Sequence, residues 1–525
     1  AVMTMPQEIL EYDGLIIAAK LKSRIKDLDR YAEEFYEMLA EFVDIVGSND
    51  KEYFEITYLD SGQVSVQIYE VENNLKTEKL YYDRTFYPKE TKEIRIYGLG
   101  DDDIFIIKGS EKTSIKVRLL GGGGNDSFSE RNELANKPLV YDKGSGTKFD
   151  SLSDSKIVKH WNNEVYEFNR TKFDYNTYLP VFGLSYNNFN GLSTKIGITF
   201  TRQKFGKDDY GSKHSFSGGI STFGNKRLNY TGSFRQVIGK WDVPVEIDYS
   251  SPEFRNKFYG LGNDTEIEQE LKNSNFYRIY HRTIHIETGV RRQFWQRSNL
   301  DFLFGYTNSR FDERDNSILT EDSTLFGSSV ILGEIPVKVN LKIDLLDNDG
   351  LPYNGILFEL SYRNGSIIDG TPDVENYGVI QSSLEYFVSS KNKNPITLGL
   401  RIGGATSHGK TPFYHLPFIG SITGLRGYTG GRFTGESTAY FNSELRWQLF
   451  HKYTLLFPLK FGIKAFYDAG QVYMHDKTTN TANWHHGYGG GVYVVPYDEK
   501  VSLSLLVGFS EEQTFYPMIR FGRVF

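Results

Sequence analysis

Thr194-Lys195-Ile196-Gly197-Ile198-Thr199-Phe200-Thr201-Arg202 places Ile196, Ile198 and Phe200 on one face of an extended chain and Gly197, Thr199 and Thr201 on the other. Far downstream, Val501-Ser502-Leu503-Ser504-Leu505-Leu506-Val507-Gly508-Phe509 repeats the pattern, with Val501, Leu503, Leu505, Val507 and Phe509 opposite Ser502, Ser504 and Gly508. One face is greasy and the other polar. From about Tyr166 to Phe525 such segments recur, divided alternately by short turns and longer polar loops, with aromatic residues near the strand ends. Allowing roughly 22 residues for a strand and its connection, this region of about 360 residues holds about 16 strands, an even number that returns both barrel ends to one side. The segment around Gly197 reads as the earliest barrel strand. The final FYPMIRFGRVF sets Ile519, Phe521 and Phe525 on one face and ends on an aromatic residue, the arrangement of an outer-membrane targeting signal.

Composition agrees. The 525 residues include 36 Tyr, 38 Phe and 51 Gly, yet mean hydropathy is −0.45, so the apolar residues are scattered. A bundle of membrane helices, which needs about 20 mostly apolar residues per span, is excluded, whereas alternating membrane strands are not. A net charge of −7 from 60 basic and 67 acidic residues gives no basic excess for a phosphate backbone, so nucleic acid is not an expected partner. With no cysteine there is no disulfide, thiolate zinc site or cysteine nucleophile. The opening AVMTMPQEIL lacks the basic start and apolar core of a secretory signal, so an exported protein would have been processed or truncated before this point.

The N-terminal part has another texture. Residues 1–50 read as an amphipathic helical segment: Leu15, Ile16, Ala19, Leu28, Tyr31, Phe35, Leu39 and Phe42 recur at three- and four-residue spacing until Gly47-Ser48-Asn49-Asp50. Residues 51–155 read as a β domain. Within it IRIYGLGDDDIF (94–105) returns as VRLLGGGGNDSF (117–128), 23 residues on, and a fainter VYDKGSGTKF (140–149) begins another 23 on. Such a period predicts rungs of a small β-solenoid or a regular sandwich. Gly121-Gly122-Gly123-Gly124-Asn125-Asp126 also fits the nonapeptide of calcium-binding β-rolls, which makes Asp103, Asn125 and Asp126 candidate calcium ligands. The competing reading takes the same residues as turns chosen for positive φ and for side-chain to backbone bonding.

Three motifs near the C-terminus belong together: Pro417-Phe-Ile-Gly-Ser-Ile-Thr-Gly424-Leu425-Arg426-Gly427-Tyr428, AYFNSELRW (439–447) and FGIKAFYDAGQVY (461–473). Here the sequence resembles the bacterial surface antigen family, the BamA/TamA-like outer-membrane assembly and transport barrels, over roughly residues 166–525. NKFYGLGNDT (256–265) looks like another family segment. The resemblance implies that an Arg-Gly-aromatic loop tip folds back into the barrel and is held by acidic residues of the inner wall. Strand parity sets Asn442, Glu444 and Arg446 opposite Phe441, Leu445 and Trp447, and Lys464, Phe466 and Asp468 opposite Ile463, Ala465 and Tyr467, so Glu444 and Asp468 point into the lumen, where Arg426 can reach them. Gly424, Arg426, Gly427, Tyr428, Glu444 and Asp468 are therefore the expected lumenal clamp.

The strand-helix-helix-strand-strand modules usual before such barrels are not apparent in this sequence. Its N-terminal part looks instead like the segment preceding the barrel in relatives that carry an N-terminal metallophosphoesterase, although no metallophosphatase signature is present. His281 and His285 share a face with Thr283 and Glu287, as polar lumen lining would; His485 and His486 face opposite ways; no Gly-x-Ser-x-Gly elbow occurs. The reading is against intrinsic catalysis.

The expected architecture is an all-β transmembrane protein: an antiparallel outer-membrane β-barrel of about 16 strands at 156–525, preceded by a small helical and solenoid- or sandwich-like domain in the periplasm. The resemblance implies insertion or translocation of polypeptide or lipid through a seam between first and last strands. The alternatives are a closed barrel anchoring an upstream phosphoesterase, or a passive pore. The partners implied are outer-membrane lipid and lipopolysaccharide, outer-membrane protein or lipid substrates, and accessory lipoproteins; apart from the calcium reading, no cofactor is expected.

Overall fold

The computed structural model describes residues 2–521 apart from 132–135, 143–145, 151–155, 159–162, 172–174, 188–190, 208, 254, 274, 296, 313–316, 322–330, 349, 370–375, 422–423, 454–457, 476–479, 482 and 497–501. It divides into two compact units, Ala1–Phe173 and Asp174–Phe525.

In the first unit the helices Gln7–Lys26 and Leu28–Ala40 are followed by the strand Phe42–Val46. The helical segment thus ends ten residues short of the expected limit at 50, because FVDIV carries β-branched residues that favour an extended chain. This strand opens a parallel sheet that continues through Glu93–Leu99, Lys116–Gly122, Leu139–Tyr141 and Lys156–Val158. A second sheet runs Lys148–Asp150, Ser127–Arg131, Ile104–Lys108 and Glu52–Tyr58 in parallel, then Val64–Glu72 and Leu75–Phe86 antiparallel. Each Gly/Asp turn carries the chain from one sheet to the other, so the repeat forms the coils of a parallel solenoid.

Two details depart from the sequence reading. The coil Phe42–Phe54 comes first and is separated from the next by an inserted hairpin, which hides it from any fixed period. The last copy is paired 21 residues on, Leu119 with Val140 and Phe128 with Phe149, and not 23. Between the sheets Phe54, Phe105, Phe128 and Phe149 stack with ring centroids 4.5, 4.7 and 5.6 Å apart, and Ile45, Ile96, Leu119 and Val140 close the other side. Because Lys156–Val158 adds a strand to this unit, the barrel unit begins at 174 and not at 156.

The second unit is one antiparallel sheet of seventeen strands, from Thr177–Asn187 to Tyr516–Phe521. Arg255–Lys257 is a short addition beside Arg278–Phe294, which also pairs directly with Trp241–Ser250; sixteen strands make up the barrel wall. The earliest strand is Thr177–Asn187, and the segment around Gly197 is the second. Pro180 disguises the true first strand, but a proline is tolerated where a strand lies at a sheet edge. Alternation is as the pattern requires: Ile196, Leu505 and Ile519 are exposed, whereas Thr199, Ser502 and Ser504 are buried. No helix among the described residues is long and apolar enough to cross a membrane.

Because strand direction alternates, the connections that follow Ser250, Phe311, Gly409 and Tyr473 all leave the wall at one mouth of the barrel. They interlock there. Phe258, Ile279, Phe311, Leu319, Phe413 and Leu416 form a common apolar core. At the opposite mouth, the connection 345–354 turns inward: Leu351 packs on Tyr493 and Val495, and Tyr353 donates to Gln448 Oε1 at 3.2 Å.

Candidate functional site

The loop 410–436 leaves the strand Ile396–Gly409, enters the lumen and returns to Ser437–Tyr453. Its tip requires glycine on both sides of the arginine. Gly424 and Gly427 have φ of 82° and 94°, and a side chain on Gly427 would lie 2.7 Å from the Phe509 carbonyl. The receiving ledge is glycine too: a Cβ on Gly487 would sit 1.8 Å from the Arg426 carbonyl, and one on Gly508 2.9 Å from Gly427 Cα. Gly487 of the run HHGYGGG and Gly508 on the next strand therefore supply the flat surface on which the tip lies, a signal that gained meaning only with the loop in place.

Arg426 is 3% exposed and fully engaged. Its backbone N–H and Nε both donate to Asp468 Oδ2 at 2.8 Å, Nη2 donates to Asp468 Oδ1 at 2.7 Å, and Nη1 donates to Glu444 Oε2 at 2.8 Å. The guanidinium carbon stands 4.1 Å from the Phe466 ring centroid. Asn442 Nδ2 donates to the Gly424 carbonyl at 2.9 Å, and Tyr428 is buried beside Phe433. Thus Gly424, Arg426, Gly427, Glu444 and Asp468 meet at one place, with Tyr428 just beyond. Glu444 is shared further, with Lys464 Nζ at 3.4 Å and Arg446 Nε at 3.8 Å. Two buried carboxylates consequently face three buried cations.

Two other anchorages of this loop were not anticipated. Near its start, Glu334 on the wall accepts from the Tyr377 hydroxyl at 2.6 Å, lies 3.2 Å from His415 Nε2 and pairs with Arg363. On the return, Arg432 bridges to Glu512 and Thr265. The family-like segment 256–265 meets the same limb: the Tyr259 hydroxyl lies 2.9 Å from Thr429 Oγ1, and Gly262 N–H donates to the Thr434 carbonyl at 2.8 Å. His485 stacks on Phe433 at 3.7 Å, whereas His486 meets the Tyr467 hydroxyl on the outward face at 2.8 Å. His285 faces Thr307 and Glu287 as wall lining.

Of the targeting residues, Ile519 is exposed on the last strand and Phe521 ends it, paired with Leu503. Phe525 lies outside the described residues.

The candidate calcium residues have other duties in the solenoid. Glu52 accepts from Ser48 N–H at 2.8 Å within its own coil, while Asp103 Oδ1 accepts from Glu52 N–H and Asp126 Oδ1 from Asp103 N–H, both at 2.9 Å, each of these two carboxyls serving the amide of the preceding coil. Gly47, Gly98 and Gly121 leave the space, since a Cβ there would lie 2.3, 2.3 and 2.1 Å from the nearest carboxyl oxygen of Glu52, Asp103 and Asp126. On the last coil Asp142 stands near Gly121 and turns toward Asp126. Burial, chiefly, pushes the Asp103 carboxyl up to about 9, with Asp126, Glu52 and Asp101 adding repulsion; burial raises Asp126 as well, with Asp142 and Asp102 adding to it. Asn125 is exposed, its N–H donating to Asp102 Oδ1 at 2.7 Å. Among the described residues no three His, Asp or Glu side chains are grouped to hold a metal.

Residues 227–495 match the model of the Omp85 superfamily domain. The chain belongs to the Omp85 superfamily. Omp85 barrels are outer-membrane barrels of transport and assembly, and the sixteen-strand wall with a lumenal loop is in keeping with that membership. Among solved structures, BamA from Haemophilus ducreyi lacking POTRA domains 1–3 is similar at 14% identity and a TM-score of 0.49, over 66% of this chain and 70% of that one. CdiB from Acinetobacter baumannii aligns at 13% identity and a TM-score of 0.41, over 66% of this chain and 59% of its own. CdiB from Escherichia coli aligns at 12% and 0.43, over 66% and 61%. No curated protein sequence matches the chain.

Proposed function

We propose that this Omp85 barrel inserts polypeptide or lipid into the outer membrane, or moves it across, at a lateral seam between Thr177–Asn187 and Tyr516–Phe521, with residues 1–173 on the periplasmic side. The observation that carries the reading is the order of the sheet: among the described residues it runs in one series and has these two strands as its edges. Edge strands offer unpaired N–H and C=O groups that can template an incoming strand, and such groups cannot persist facing lipid, so the seam opens only transiently or when occupied. The interlocked loops at one mouth and the clamped tip in the lumen speak for lateral exit over a passive axial pore. The reading assigns no catalytic step to the barrel.

The test is disulfide trapping in the cysteine-free background, with one cysteine scanned through 179–183 and one through 517–520. Crosslinking smeared over several registers, and loss of function when the seam is locked, is the expected result. Complete crosslinking in one register with function retained would overturn the reading and favour a closed anchor for an upstream domain such as a phosphoesterase.

A further inference from the structure

We propose that Arg432 is a positioning residue that latches the last hairpin, Leu503–Phe521, to the lumenal loop, a role distinct from that of Arg426. This rests on the seam reading above, since the hairpin ends in the strand that borders the seam. Arg426 ties the loop to the wall: its partners Glu444 and Asp468 lie within the long central strands Ser437–Tyr453 and Pro458–Tyr473. Arg432 reaches elsewhere. Its Nε donates to Glu512 Oε1 and Oε2 at 2.7 and 2.8 Å, and Nη2 stands 2.5 Å from Glu512 Oε1. Glu512 belongs to the turn 511–515 that joins Leu503–Ser510 to Tyr516–Phe521.

The other edge of the guanidinium is held by the loop 251–277. Nη1 donates to Thr265 Oγ1 at 2.6 Å, and Nη2 donates to the Thr265 carbonyl. Its face lies 4.3 Å from the Phe433 ring centroid and 5.5 Å from that of Tyr259. A planar fork filled on both edges, with its central carbon over both rings, is an arrangement that lysine cannot reproduce. One further contact of the same hairpin supports the latch: Ser510 Oγ donates to the Gly427 carbonyl at 3.0 Å.

The two ends of the pair differ in a way that suits a catch that can be opened. The Arg432 side chain is 2% exposed and fixed, whereas that of Glu512 is 28% exposed and hangs on a short turn. Release therefore means movement of the hairpin away from a stationary arginine. Loss of Arg426 would free the loop; loss of Arg432 would free the seam strand while the loop stays seated.

The test compares Arg432→Gln, Glu512→Gln, the double variant and Arg432→Lys in the full chain, by hydrogen exchange and by the temperature at which the barrel loses its folded gel mobility. Both single Gln variants are expected to speed exchange of residues 503–521 at least fivefold, with 437–473 unchanged and with Glu512→Gln lowering the unfolding temperature less than Arg426→Ala does. The double variant should be no worse than either single one, and Arg432→Lys should recover only part of the protection. Unchanged exchange at 503–521 in both single variants would overturn the latch, as would a rise spread equally over 251–277 and 437–473. Glu512→Gln decides the matter if Arg432→Gln fails to fold, because Glu512 is the more exposed partner. Faster hairpin exchange combined with a seam that can be locked without loss of function would sink the seam reading and leave the latch standing.

Discussion

Arg426→Ala removes the side chain that hydrogen-bonds both lumenal carboxylates, and the structure allows its cost to be divided. Asp468 is 0% exposed and Glu444 1% exposed, so truncating their partner leaves buried charge uncompensated, at a cost of about 3–5 kcal/mol. Glu444 keeps Lys464 at 3.4 Å and Arg446 at 3.8 Å. Among the described residues, the ion pair of Asp468 is with Arg426, so most of the loss falls there. Adding Asp468→Asn to Arg426→Ala removes the stranded charge and should restore about 1–3 kcal/mol, the usual penalty of a buried polar group left unmade. At about 2 °C per kcal/mol for a unit of this size, the unfolding temperature should fall by about 6–10 °C in the single variant and recover by several degrees in the double. Semi-native gel mobility after heating in detergent reads this directly, and insertion activity should fall with it. A single variant within about 2 °C of the parent, or a double variant no better than the single, would refute this division of the clamp.

The solenoid gives the remaining predictions. Phe105→Ala removes the middle of the ring stack and should cost about 3–5 kcal/mol locally, read as faster exchange across 94–131 with the barrel's unfolding temperature unchanged. The Asp103 carboxyl, raised to about 9, holds a proton when folded that the unfolded chain gives up near the usual 3.8, so its contribution is greatest at acid pH and is lost as pH rises through about 9. Exchange protection of 94–131 should therefore fall between pH 5 and pH 9; Asp126, raised to about 7, adds to the same fall, so Asp103→Asn should reduce the dependence and Asp103→Asn with Asp126→Asn should flatten it. Glu93, held low despite its burial by Arg118 and Arg95, acts in the opposite sense and only below about pH 4.5, outside this window. Calcium should leave protection of 94–131 unchanged in the parent protein; protection that a chelator removes, and that Asp126→Ala abolishes, would restore the calcium reading.

What was legible in the sequence depended on parity and local spacing. A period of two fixes which face a residue occupies, so the lumenal positions of Glu444 and Asp468 followed from their own strands, and Arg426 could be matched to them by motif. Arg432 had no such route. Its partners are 80 residues downstream and 167 residues upstream, on a turn and a loop whose meeting only barrel closure decides. His415 and Glu334, 81 residues apart, were hidden for the same reason. In the solenoid, the Gly-to-acid spacing of Gly98 and Asp103 recurs at Gly121 and Asp126, but the related Gly47 and Glu52 carry a glutamate and stand before an inserted hairpin. The first strand escaped notice because Pro180 and Gly183 interrupt its pattern.

The chain separations within the lumen also order events in time. Arg426 is 18 residues from Glu444 and 42 from Asp468, whereas Tyr259 and Thr429 are 170 residues apart and Asn263 and Asn483 220. Closing a short loop costs less entropy than closing a long one, and near neighbours meet sooner. The segment 410–473 can thus assemble its charged knot as a nucleus while the rest of the wall is still unpaired. The mouth can be sealed only when the first and last thirds of the wall have come round to each other. On this ordering the interior fastening would form first and the interlocked loops would close last.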